Sequence, residues 1–194
     1  DWPAAQLIRT SCEAFLASFK VWNAATVGGN ICMALPAGPM ITLTVALQAG
    51  YRLWAADGSE RMLPAAEFVV GNNRNVLQPG ELLRGVHIPA AALRRRHAHR
   101  HFCLTKLGRS TVFLVGTRDH DTGEVLLTIT AATTHPVCLT FDGLPGPGDL
   151  AERIDAIDEA AWFDDANGTP AHRRHLTRHF AEEIRAELAR DGPR

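Results

Sequence analysis

The chain has 194 residues, 46% of them hydrophobic, and sets 20 lysines and arginines against 21 acidic residues for a net charge of -1. That length suits one large domain or two small ones with a real core. The balanced charge excludes partners held by bulk electrostatics, such as a polyanion or a membrane surface. Four cysteines, Cys12, Cys32, Cys103 and Cys138, lie far apart with no C-x-x-C pair. This argues against zinc or iron–sulfur ligation and for a reduced, cytoplasmic setting. The longest apolar run, residues 31–49, is interrupted by Pro36, Gly38 and Pro39, too often to span a bilayer. No charged stretch followed by an apolar one opens the chain, so no secretory signal is expected. It starts at Asp1 without a methionine and reads as a piece of something longer.

In chain order, Asp1 is placed to cap a helix with Pro3 in its first turn. Leu7, Ile8, Phe15 and Phe19 fall near helical spacing and predict a helix over about residues 3–20. Then comes Asn23-Ala24-Ala25-Thr26-Val27-Gly28-Gly29-Asn30-Ile31, with two adjacent glycines before a second apolar helix at about 39–49. A pair of glycines makes a tight connection with no further meaning, or it lets backbone N–H groups approach an anion unobstructed. Residues 51–55 and 60–63 read as strands joined by the turn Asp57-Gly58. A helical turn at 64–68, a polar loop at Asn72-Asn73-Arg74-Asn75 and a strand at 82–88 follow.

The composition shifts abruptly at Arg94-Arg95-Arg96-His97-Ala98-His99-Arg100-His101, which reads as a basic linker between residues 1–93 and 102–194. Its alternating histidines would share one strand face, but a solvated run meeting acidic partners is preferred to a metal site or to RNA contact. Residues 102–106, 110–117 and 124–131 predict three antiparallel strands, followed by an extended segment at 136–139 and a helix over about 149–157. The last helix has Thr169 as cap, Pro170 in the first position, a stripe of Leu176, Phe180, Ile184 and Leu188, and Gly192-Pro193 as its stop. Ser110, His135 and Asp142 lack the spacing of a nucleophile elbow. The spread aspartates Asp155, Asp158, Asp164 and Asp165, like His172, His175 and His179, read as surface.

Five motifs stand in one order: residues 22–37 around Gly28-Gly29; Pro79-Gly80-Glu81-Leu82-Leu83; Ile88-Pro89; Lys106-Leu107-Gly108-Arg109; and Thr130-Ala131-Ala132-Thr133-Thr134-His135-Pro136. Together they resemble the xanthine dehydrogenase / carbon monoxide dehydrogenase flavoprotein family, the FAD-carrying medium subunits or domains of molybdenum hydroxylases. The resemblance implies an α+β fold in two parts. The first is an antiparallel sheet with helices, the second lobe of a PCMH-type FAD-binding domain. The second is a three-stranded antiparallel sheet plus C-terminal helices, like the CO dehydrogenase flavoprotein C-terminal domain. It further implies FAD contacts from Thr26, Val27, Gly28, Gly29, Asn30, Leu83 and Lys106, with no catalytic acid or base and no metal ligand. The implied partners are a molybdopterin-binding large subunit and a 2Fe-2S small subunit, with no nucleic acid and no membrane.

Two positions depart from the family pattern. Pro39 stands where an aspartate commonly meets the adenosine ribose, and Trp22 where a basic residue is common. The family's first lobe, with its own glycine-rich segment, has no match here, so the site is expected to be partial. An assembly module that docks to the other subunits without flavin is the alternative.

Overall fold

A computed structural model describes residues 2–106 and 108–190. Its organising element is α4 (Pro39–Ala46), in which all eight residues are buried. A helix that is apolar all round has no solvent face to offer, so it must lie inside a layered structure. Its Thr44 hydroxyl meets the Tyr51 hydroxyl at 2.5 Å on one side, and its Thr42 hydroxyl meets that of Thr130 at 2.6 Å on the other. Tyr51 lies in β1 (Gly50–Trp54) and Thr130 ends β8 (Val125–Thr130), so α4 joins two separate sheets.

The first sheet has the order β2-β1-β5, all antiparallel, with β2 at Glu60–Pro64 and β5 at Leu82–His87. Tyr51 and Leu53 of β1 point into the core while Arg52 and Trp54 stay exposed, the period of two expected of a sheet with one wet face. Glu81, in the Pro-Gly-Glu turn before β5, accepts from Arg61 Nε and Nη2 and from the Gln78 N–H, each at 2.8 Å. These bonds, the guanidinium first, lower its carboxyl to a pKa of about 2.

The second sheet has the order β6-β7-β8-β9: β6 (Arg96–Cys103), β7 (Ser110–Arg118), β8 and β9 (Val137–Phe141). Its two faces are covered by different helices. Phe113 and Val115 join the core around α4, whereas Val112 and Leu114 join the core beneath α6 (Pro147–Asp155) and α7 (Pro170–Ala189). A Cβ on Gly116 would stand 2.4 Å from Ile184 Cγ2, so the bare backbone there is what admits α7.

The α+β class and both antiparallel sheets are as expected, and three local expectations are corrected. The first helix is broken, as a 3-10 turn at Pro3–Ala5 runs into α1 (Gln6–Glu13) and, after a gap, α2 (Phe19–Ala24). Ser18 caps the new helix and the Trp22 indole donates to the Phe15 carbonyl at 2.9 Å, which holds the break in place. The polar stretch at 72–75 closes a small hairpin of β3 (Val69–Gly71) and β4 (Arg74–Asn75). The second sheet has four strands, because the basic run is not a linker in structure. Arg94 ends α5 (Ala90–Arg94), and residues 96–101 lie within β6. Two of its charges are paired inside the chain: Arg100 meets Glu183 and Glu187 of α7, and the buried Arg95 meets Glu124. The expected cap Asp1 and stop Gly192-Pro193 lie outside the described residues, as does Leu107.

Candidate functional site

The two glycines do not form a loop. They fall within α3 (Val27–Cys32), a six-residue helix with Thr26 as its N-cap. The Thr26 hydroxyl accepts from the Gly29 N–H at 2.9 Å, and the Thr26 carbonyl accepts from the Asn30 N–H at 3.0 Å. The N–H groups of Val27 and Gly28 make no hydrogen bond among the described residues, as the first donors of a helix must when no ligand or side chain meets them. Thr26, Val27 and Gly29 are exposed and Gly28 is half-buried. Beside them is a cleft of about 150 Å³ lined by Phe15, Trp22, Ala25, Thr26, Val27 and Asn30.

The glycines serve different ends. A Cβ on Gly29 would sit 2.9 Å from Thr26 Oγ1 and disturb the cap. A Cβ on Gly28 would meet only Leu83 Cδ2, at 4.0 Å, an ordinary contact. Nothing in the fold requires glycine at 28. What its absence of side chain leaves open is the approach to the Val27 and Gly28 donors.

Leu83 is thus brought to the turn by β5, where it pairs opposite Leu53. Asn30 has a use the sequence did not reveal: its Oδ1 accepts from the Met40 N–H at 3.1 Å. Gly38, the N-cap of α4, has no side chain to do this, so Asn30 caps that helix from ten residues away. Pro39 is buried in the first position of α4, where its missing N–H leaves no vacancy. Lys106 is exposed in the turn after β6 and forms no hydrogen bond or ion pair among the described residues. The rear of α3 is held by Asn75 and Asn73 from the β3–β4 hairpin, residues read from sequence as mere loop. Alternation gives no signal for such a contact, because it joins segments about forty residues apart.

Other candidate chemistry is not assembled. Ser110 pairs with His101 at 2.7 Å, while His135 is engaged with Thr134. His97 and His99 stack in β6, and among the described residues no group of three histidine, cysteine or acidic side chains is arranged to hold a metal ion. No described helix is long and apolar enough to cross a membrane.

Comparison with known proteins adds to this geometry. Residues 4–91 match the family model of the FAD binding domain in molybdopterin dehydrogenase. Over 86 residues the chain is 35% identical to xanthine dehydrogenase of Oryza sativa subsp. japonica, covering 41% of this chain and 6% of that protein. It is 36% identical over 74 residues to the caffeine dehydrogenase subunit beta of Pseudomonas sp. (strain CBB1), covering 38% of this chain and 25% of that subunit. The matched stretch is therefore a small part of either relative. Among solved structures, the Cu,Mo-CO dehydrogenase superimposes with a TM-score of 0.76 at 21% identity, over 93% of this chain and 68% of that one. Quinoline 2-oxidoreductase from Pseudomonas putida 86 gives 0.70 at 18% identity, over 94% and 68%. These two likenesses establish the fold across both sheets.

Proposed function

We propose, from the match of residues 4–91 to the family model of the FAD binding domain in molybdopterin dehydrogenase, that the chain is the part of an FAD-binding electron-transfer subunit that holds one side of the flavin nucleotide. The carrying observation is the open backbone at Gly28, flanked by two N–H donors with no partner in the described chain. Successive amides in a bare turn suit phosphate oxygens. The Val27 and Gly28 amides and the Thr26 hydroxyl are assigned to the diphosphate. The Asn30 side-chain N–H₂, whose oxygen is already engaged, is left to donate alongside them. Leu83 packs beside the cofactor at Gly28, and Lys106 supplies positive charge toward the nucleotide.

FAD, when bound, supplies the redox chemistry, accepting electrons from iron–sulfur clusters and passing them to an acceptor. The chain's own task is to bind, orient and exclude water. A molybdopterin-binding subunit and a 2Fe-2S subunit are the proposed partners. Residues 1–93 are assigned to the flavin lobe and 102–194 to the C-terminal domain, with the shared helix α4 packing them together.

The test uses the fact that the fold does not need glycine at position 28. In the full-length polypeptide, Gly28→Ala and Gly28→Val should leave assembly intact and reduce bound flavin in order of bulk, read from the absorbance spectrum. Unchanged flavin content in the valine variant overturns the proposal. A second measurement addresses the partial site: titrating the 194-residue chain alone with FAD should give weak binding, and tight stoichiometric binding would count against it.

A further inference from the structure

The helix that carries the open amides is poorly able to hold itself. It has six residues and two of them are glycine. Glycine disfavours helix relative to alanine, and helices this short do not persist without tertiary support. Whatever braces α3 therefore sets the direction in which the Val27 and Gly28 donors point.

Three braces are visible, and none lies on the open face. Ile31 is fully buried in the core around α4. Asn30 ties the middle of α3 to the start of α4. At the rear, Asn75 Nδ2 donates to the carbonyl of Cys32, the last residue of α3, at 2.8 Å. The same side chain accepts from the Leu77 N–H through Oδ1 at 3.0 Å, so both ends of the amide are fixed and its orientation is defined. One residue pair further on, the Asn73 N–H donates to the Ala34 carbonyl at 2.9 Å, and both residues hold positive φ. The hairpin thus takes up carbonyls at and just beyond the C-terminal end of α3 that would otherwise lack partners. Asn75 itself is part-buried and has no other polar duty among the described residues.

We propose that Asn75 is a positioning residue for the nucleotide site: from behind α3 it sets the angle of the turn at Thr26–Gly29 without touching the ligand. This inference rests on the reading of that turn as the diphosphate contact. An ionised aspartate at position 75 would keep the size and the acceptor for Leu77 but lose the donor to Cys32. It would also set a carboxylate against that carbonyl. A lost hydrogen bond corresponds to a drop of about two- to tenfold in affinity if it falls on orientation of the site, and the added repulsion puts the aspartate at the upper end.

The experiment compares Asn75→Asp and Asn75→Ala with Thr44→Val in the full-length polypeptide. Thr44→Val removes a buried hydroxyl behind α4, away from the turn, and controls for loss of stability alone. FAD affinity, thermal melting of the flavin-free form and hydrogen exchange at residues 27–33 are measured for each. Expected is a loss of FAD affinity of about tenfold in Asn75→Asp and less in Asn75→Ala, with affinity in Thr44→Val held within about twofold. Hydrogen exchange at residues 27–33 should quicken only in the position-75 variants. Equal affinity losses in Asn75→Asp and Thr44→Val at matched melting temperature would overturn the inference, as would failure of both position-75 variants to fold. Gly28→Val is run in parallel. If it keeps its flavin, the reading of the turn fails; if it loses flavin while Asn75→Asp does not, only the role of Asn75 fails.

Discussion

Two helices in this chain begin the same way and end up with opposite roles. Both α3 and α7 are capped by a threonine hydroxyl that accepts from the third residue beyond it, Gly29 from Thr26 at 2.9 Å and His172 from Thr169 at 3.3 Å. At α7 the space inside the first turn is closed. Arg173 is fully buried there, donating to the carbonyls of Gly168, Thr111 and Ala131 and pairing with Asp165, so helix, loop and sheet are locked together. At α3 the corresponding space is open and the first donors have no partner among the described residues. The glycines repeat the contrast: Gly116 is bare because Ile184 needs the room, whereas a Cβ on Gly28 would make only an ordinary contact with Leu83. A cap residue or a glycine therefore identifies a local geometry, and its surroundings decide whether that geometry closes the fold or leaves a site.

That contrast is open to direct attack. The largest effect is expected at the closed end. Arg173→Met removes the donor to three carbonyls and the buried partner of Asp165, and unfolding in denaturant should show a loss of about 3–5 kcal/mol. Gly116→Ala forces α7 outward, and the same measurement should give about 1–3 kcal/mol. Gly28→Ala is expected to do the reverse for stability, leaving it unchanged or raising it by up to about 1 kcal/mol while bound flavin falls. A marked fall in melting temperature for Gly28→Ala would remove the distinction between the two glycines.

Smaller effects follow from titration. Burial first, and then mutual repulsion or Arg100, lowers the pKa values of His97, His99 and His101, which lie on the β6 face toward α4. The groups opposite them in β7, Thr117, Val115 and Phe113, carry no charge, and the carboxylates of α7 lie across the sheet beside Arg100. The unfolded chain then binds more protons than the folded one below about pH 6.5. Stability should fall from that pH downward, and replacing the three histidines with glutamine should flatten the melting profile between neutral and mildly acidic pH. Glu81 has the depressed carboxyl, at a pKa of about 2. Its contribution is present above the unfolded value of about 4.3 and is lost as pH falls through the folded one. Arg61→Gln should weaken that acid dependence and change nothing at neutral pH beyond the loss of a half-buried pair.

Elements with a strong local period were legible in advance. The α7 stripe and its Thr169–Pro170 start, the hairpin at Asp57-Gly58 and the buried strands of the second sheet all follow from spacing that neighbouring residues enforce on one another. The stretch proposed as the site was legible only as a stretch. Thr26 to Asn30 stood out in the sequence, but its helical form did not, because two glycines disfavour a helix that only Ile31 burial, Asn30 and the β3–β4 hairpin make worthwhile. The basic run was misread for a related reason. Local charge argued for solvation, and only the approach of Glu183 and Glu187 from more than eighty residues away made a strand of it. Sequence by itself determined where apolar faces and turns must lie, since those depend on residues within a few positions. Tertiary structure alone decided which polar groups find partners, because hydrogen bonds and ion pairs between distant segments are settled only when the segments meet.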